Sequence, residues 1–301
     1  MAYTTVKNST GTGIKRKRIE LFDVVNIGLL TFFALLIINP FYNCVIVSIA
    51  TQTEYIRTPF MIFPKVLTFD SYKYILGNRG LIYGYRSTLT ILAFGIPINM
   101  ALTCCGAFVL SRANFPGKKI LFFMIVICMF FSGGMIPTYL VVRDLGLTNT
   151  LWSVILLHGM NTFYFILCRN YMNSIPESME ESAKMDGAND IIVMVRIILP
   201  LCKPILATIL LFYAVDRWNE WFWAMMFIRK DTLLPVQLLL RNIVFISLYE
   251  TKDSALDSIE MFFGEGIKMA VILVTMLPIM LFYPFVQKYF VRGIMIGAIK
   301  S

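Results

Sequence analysis

Six apolar runs dominate the chain, at about 22 to 49, 86 to 110, 119 to 142, 151 to 168, 205 to 227 and 266 to 287. Each is close to the roughly 20 residues that an α-helix needs to cross the hydrocarbon of a bilayer. In lipid an unpaired backbone N–H or C=O has no water to bond, so a spanning segment must be a helix or a strand of a closed barrel. The runs are evenly apolar and lack the alternation of a barrel strand, which predicts six helices. Composition agrees: charged residues make up 15% of the chain, against about 25% in a water-soluble domain. Soluble enzymes, disulfide scaffolds and disordered tails are excluded. The net charge of +9 reads as loop charge on a membrane protein, not as a nucleic-acid footprint.

Lys and Arg in the short flanks set the orientation. Lys7, Lys15, Arg16, Lys17 and Arg18 precede the first run; Arg112, Lys118 and Lys119 lie in the second turn; Arg169, Lys184, Arg196 and Lys203 lie in the 169 to 204 loop; and Lys288, Arg292 and Lys300 follow the last run. The opposite side carries fewer, spread over longer connections. Both termini are therefore expected in the cytoplasm. The first run is too long for a signal-peptide core and has no small-residue cleavage site after it, so the N-terminus is expected to be retained. The expected organisation is a basic tail at 1–21, a six-helix unit at 22–288 and a C-terminal tail at 289–301. The outer connections 50–85 and 228–265 should contain helices: Phe69, Tyr72, Ile75 and Leu76 recur at helical spacing after a cap at Thr68, and an apolar stretch from Leu234 to Ile246 is opened by Pro235.

The 169 to 204 loop reads as helix, break, helix. Ser174 is a candidate cap, Pro176 suits a first turn, and Glu177, Glu180 and Glu181 put negative charge where the helix dipole favours it. Glu177, Glu181 and Lys184 form one charged face, which is either solvated or meets a partner. Gly187 is the expected stop, because glycine accepts the left-handed conformation that closes a helix, and Asn189 can cap the next segment. Pro200 and Pro204 lead back towards the membrane.

The stretch Glu181, Ser182, Ala183, then Asp186, Gly187, Ala188, then Arg196, Ile197, Leu199, Pro200 and Pro204 resembles the "EAA" coupling loop of permease subunits of ATP-binding-cassette importers. Ser182 stands where that pattern has alanine and Met194 where it has phenylalanine. Trp218, Asn219 and Glu220 resemble the W-N-E signature of carbohydrate-uptake permeases. Arg292, Gly293 and Ile294 through Gly297, Ala298 and Lys300 resemble the tail of the maltose-type second-permease branch. The stretch from Phe131 to Thr150 is similar to permeases for polysaccharide breakdown products. The resemblance covers nearly the whole chain. It implies a type I ABC importer permease in the bacterial cytoplasmic membrane, without catalytic chemistry or a bound cofactor of its own. It further implies a second, non-identical permease, two ATPase subunits that carry ATP and Mg, an extracytoplasmic solute-binding protein, and an oligosaccharide cargo. On this resemblance Glu177, Glu180, Glu181, Ala183, Asp186, Gly187, Ala188, Gly297, Ala298 and Lys300 couple to the ATPases. A permease for a non-sugar solute and an ion-coupled secondary transporter are the alternatives.

The substrate-pathway candidates are Trp218, Asn219, Glu220 and Tyr139. Trp218, Trp221 and Trp223 are equally readable as an interfacial aromatic belt. His158, the only histidine, has no acidic neighbour in its own run and reads as a lone imidazole; no metal site is expected. Asp216 and Arg217 point apart on a helix and are expected to pair with other subunits. Gly133, Gly134 and Pro137 mark a kink or a cavity wall. The six cysteines, mostly within apolar runs, read as free thiols with a packing role.

Overall fold

The computed structural model describes residues 21–58, 61–112, 116–249 and 264–298, and every regular element among them is helical. The basic N-terminal tail, Lys300 and the outer-loop residues 250–263 lie outside the described residues. α1 (Leu21–Ser48) turns nearly all its large apolar side chains outward. A helix that is apolar nearly all round and packs chiefly against the last helix among the described residues is suited to lipid as its solvent.

The first outer connection holds α2 (Gln52–Arg57) and α3 (Asp70–Gly77). Phe69 occupies the N-cap position expected of Thr68, but the Thr68 hydroxyl still works locally. It accepts the Asp70 N–H at 3.2 Å and donates to the Asp70 carboxylate at 2.7 Å. α4 (Arg79–Ser111), capped by the Asn78 side chain, is the central helix of the bundle and packs against the helices that follow at 152–157, 162–173, 203–218 and 236–249.

Three of the expected spans are broken, the first of them at the expected kink. The run 119 to 142 forms α5 (Lys118–Phe130) and α6 (Met135–Asp144), bent by 115° where Gly133 and Gly134 interrupt the helix. The run 151 to 168 forms α7 (Trp152–Leu157) and α8 (Thr162–Asn173). Asn161 starts α8 afresh by accepting the N–H groups of Phe163 and Tyr164, which is what a cap residue does at an unbonded first turn.

The loop that follows holds α9 (Glu177–Met185), α10 (Asp190–Ile192), a π-helical segment (Val193–Ile198) and α11 (Leu199–Leu201). The chain then bends by 84° into α12 (Lys203–Trp218). The run 205 to 227 is thus split between α12 and α13 (Phe222–Phe227). α14 (Val236–Tyr249) lies within the 228–265 connection, and α15 (Gly264–Ala298) ends the described chain. α15 continues without a break to Ala298, so the described part of the expected C-terminal tail, 289–298, is helical.

Three helices are long and apolar enough to cross a membrane, and the two bent pairs raise the total to five among the described residues. The remaining expected span is the one divided into α7 and α8. Packing concentrates in three clusters. One surrounds Phe108, Phe165, Met172, Ile198 and Ile209 beside the 169 to 204 loop. A second gathers Ile91, Ile155, Phe227 and Leu238, and a third Ile75, Trp218, Val236 and Val271.

Candidate functional site

α9 ends as its sequence predicts. Gly187 has φ +87°, the Gly187 N–H bonds the Lys184 carbonyl at 3.0 Å and the Ala188 N–H reaches back to the Ala183 carbonyl at 2.9 Å. These two bonds are the Schellman pair that satisfies the last carbonyls of a helix. Asn189 then caps α10 by accepting the Ile192 N–H. Ser174 does not cap α9; it closes α8, and Pro176 takes the N-cap position of α9.

Glu177 and Glu181 are exposed as expected, but Glu180 is not: it is 8% exposed and pairs with Arg112 at the end of α4. Lys184 lies 3.0 Å from Glu180 and 3.0 Å from Asp190. Hydrogen bonds to these two carboxylates, that from Glu180 first, hold the Lys184 ammonium above its ordinary range. α9 is therefore lashed to α4 on one side and to α10 on the other. The carbonyls at the end of α4 are taken by cations as well: Arg169 Nε donates to Leu110 and Lys118 Nζ to Arg112, each at 2.9 Å. Ala183 and Ala188 pack against the first cluster. Met179, Met185 at 87% exposure, Ile191 and Val195 face outward among the charges, an apolar patch with a charged rim.

At the far end of α12 lies a cavity of about 450 Å³. Its wall combines His158 and Asn161 from the break between α7 and α8 with Tyr213, Asp216, Arg217, Asn219, Glu220, Trp221 and Trp223. Arg217 organises this wall. It is 3% exposed, and its guanidinium donates to Asn99 Oδ1 at 3.0 Å, to the Val154 carbonyl at 2.8 Å, and to the Ile155 and His158 carbonyls at 2.9 Å each. The last carbonyls of α7 have no partner within the helix, and a cation there also meets the negative end of the dipole. Asn99 Nδ2 donates in turn to the His158 and Gly159 carbonyls. Gly95 leaves room for this: a Cβ there would come within 3.2 Å of Arg217 Nε. Tyr213 Oη accepts the Asn161 N–H at 3.0 Å and lies 2.7 Å from Thr103 Oγ1. The break is thus stapled to α4 and α12.

Arg217 pairs inside its own chain, contrary to expectation, and Asp216 accepts a hydrogen bond from the Tyr164 hydroxyl at 2.8 Å. His158 has an acidic neighbour after all, Glu220 at 3.9 Å. The two come from different runs, which is why neither run alone revealed the pair. Asn219 and Glu220 line the cavity; Trp218 does not. It is buried in the third cluster beside Tyr85, with ring centres 6.2 Å apart. Tyr139 stacks on Phe227 at 5.9 Å, Phe227 on Trp223 at 5.8 Å, and Trp223 lies 6.0 Å from His158, so Tyr139 stands two rings behind the wall.

A model of the family described as "binding-protein-dependent transport system inner membrane component" matches residues 74–296. The chain belongs to that family. It is 39% identical over 287 residues to the polygalacturonan/rhamnogalacturonan transport system permease protein YtcP of Bacillus subtilis, covering 94% of this chain and 99% of that protein. Protein LplC of the same organism is 39% identical over 284 residues, covering 94% and 96%. A crystal structure of a bacterial ABC transporter involved in the import of the acidic polysaccharide alginate contains a chain of 32% identity that superposes with a TM-score of 0.81, covering 93% of this chain and all of that one. The chain is a multi-pass ABC importer permease of the type I fold. In this permease the Gly187 turn and the Asn189 cap were legible in the sequence, whereas Arg112, Asn99 and Arg217 carried no motif. The one available signal was that an arginine inside an apolar run must find acceptors.

Proposed function

We propose that this chain is one permease of an ATP-driven oligosaccharide importer in the bacterial cytoplasmic membrane, with six spans and both termini in the cytoplasm. The broken α7–α8 pair is the sixth span, and the basic segments 1–21 and 299–301 lie on the cytoplasmic side. It forms half of the pathway with a second, non-identical permease, binds no cofactor itself, and receives its cargo from an extracytoplasmic solute-binding protein. Two ATPase subunits, which carry ATP and Mg, dock on Glu177, Glu181, Asp186 and Gly187 and on the apolar patch around Met185, and Gly297, Ala298 and Lys300 also couple to them. Glu180, Ala183 and Ala188 brace that surface from behind.

One observation supports this reading above the others: α9 is joined, through the Gly187 turn, the π segment and the 84° bend, to the helix whose far end carries Asp216, Arg217, Asn219 and Glu220. A displacement of the docking helix is transmitted along α12 to the cavity wall, and the staple through Arg217 carries it on to α7 and α8. The cavity residues are hydrogen-bond acceptors and aromatic rings, which suit sugar hydroxyls and pyranose faces. The saccharide names of the relatives point to the same cargo. Uptake of oligogalacturonides into proteoliposomes should require the two ATPases, ATP and the binding protein together. Uptake driven by a proton or sodium gradient without ATP would overturn the reading in favour of ion coupling.

A further inference from the structure

The cavity wall carries two carboxylates, Asp216 and Glu220, and its arginine is already committed. Arg217 uses four of its five N–H groups on Asn99 and three backbone carbonyls. His158 faces Glu220. A saccharide that itself bears carboxylates would need a cation from elsewhere, because an unpaired charge entering a partly dry site is costly.

One such cation adjoins this wall. Arg241, on α14, lies over the ring of the cavity-lining Trp221 at 4.7 Å from its centre and over the ring of Phe245 at 4.3 Å. Its described hydrogen bond is to Met225 Sδ at 3.3 Å, a weak acceptor. Rings covering its faces hold a guanidinium flat and leave its N–H edge as the part that can bind, in the fork geometry that matches a carboxylate.

We propose that Trp221 and Arg241 form a subsite for a uronic acid residue at the rim of the cavity. The indole takes the apolar face of the pyranose ring and the guanidinium edge takes its carboxylate. Asp216 and Glu220, which only accept when ionised, take hydroxyls deeper in. This rests on the oligosaccharide reading and narrows it to acidic saccharides.

The test uses the assembled complex in nanodiscs with the binding protein omitted, so that loading does not filter the sugar. Trigalacturonate and the neutral galactotriose are titrated, with binding read from tryptophan emission. The wild type should bind trigalacturonate about ten-fold more tightly, the discrimination expected of one charge-assisted pair. Arg241→Gln should erase that preference while leaving galactotriose affinity unchanged, and Arg241→Lys should restore part of it. In the wild type, raising salt from about 0.05 M to about 0.5 M should weaken trigalacturonate alone. A preference that survives Arg241→Gln, an equal loss for both sugars, or a wild type that prefers galactotriose would overturn the subsite while leaving the oligosaccharide reading standing. Binding of neither sugar to the wild type would remove both.

Discussion

Asn99 and Arg217 converge on one acceptor, the carbonyl of His158, and hydrogen-bond each other across a 3.0 Å contact. Two residues 118 positions apart thereby close the polar end of a broken helix inside an apolar bundle. The arrangement fixes His158 and Asn161 relative to α12, and so fixes the shape of the cavity.

Removing the guanidinium should be expensive. Arg217→Met leaves several buried carbonyls and Asn99 short of donors, at a cost of about 3 kcal/mol. A melt of the purified complex should drop by several degrees, and Arg217→Lys, with three donors and no fork, should recover only part of it. An unchanged melting temperature for Arg217→Met would show that the staple does not hold the break. Gly95→Val should reproduce the defect without altering any charge, because its side chain displaces Nε.

Gly187 has open space where a Cβ would sit, so any penalty comes from backbone strain alone. Gly187→Leu should cost about 1 kcal/mol locally and leave the membrane bundle intact. It should nevertheless reduce co-purification of the ATPases or uncouple hydrolysis from transport, with Gly187→Asn milder. Wild-type transport by Gly187→Leu with its ATPases bound would remove this loop as the coupling element.

Glu180 and Glu181 are adjacent but should behave oppositely. Glu180→Gln strands Arg112 in a half-buried site and should lower the melting temperature by an amount equivalent to about 2 kcal/mol, with Arg112→Gln rescuing part of the loss in the double variant. Glu181→Lys sits on an exposed face and should leave stability unchanged while weakening ATPase retention in a salt-dependent way. Equal melting temperatures for the two single variants would contradict the burial of Glu180.

Trp218 and Glu220 offer a similar contrast at the other end of α12. The buried indole N–H of Trp218 has no hydrogen-bond partner among the described residues, so Trp218→Phe should be neutral or stabilising by up to about 1 kcal/mol and should keep transport. Glu220→Gln should change the affinity for saccharide with little effect on the fold. Loss of transport in a stable Trp218→Phe variant would return that residue to the pathway.

The class of fold was readable because run length against bilayer thickness leaves few options, and the bounds of α9 and α10 because Gly187 and Asn189 act through their own backbone neighbours. What escaped the sequence was non-local. Nothing in Trp218, Asn219 and Glu220 as a tripeptide says that a bend of backbone at 219 to 221 sends the first into a packed cluster and the other two towards a cavity. His158 and Glu220 meet only because α7 stops where it does. The break in 119 to 142 was legible as the kink at Gly133 and Gly134, whereas 151 to 168 was taken as one span because apolar composition reports burial in lipid or protein without reporting continuity. Asn161, a cap residue in mid-run, was the local ground for that second break.

Three of the acceptors that hold Arg217 are carbonyl oxygens, and a carbonyl is the same whichever side chain stands beside it. The imidazole at position 158 can be exchanged for another side chain and the anchor beneath it stays in place. The side chain that position 158 turns towards the cavity is therefore free to change without first rebuilding the joint beneath it, so that the lining can drift while the frame is inherited intact.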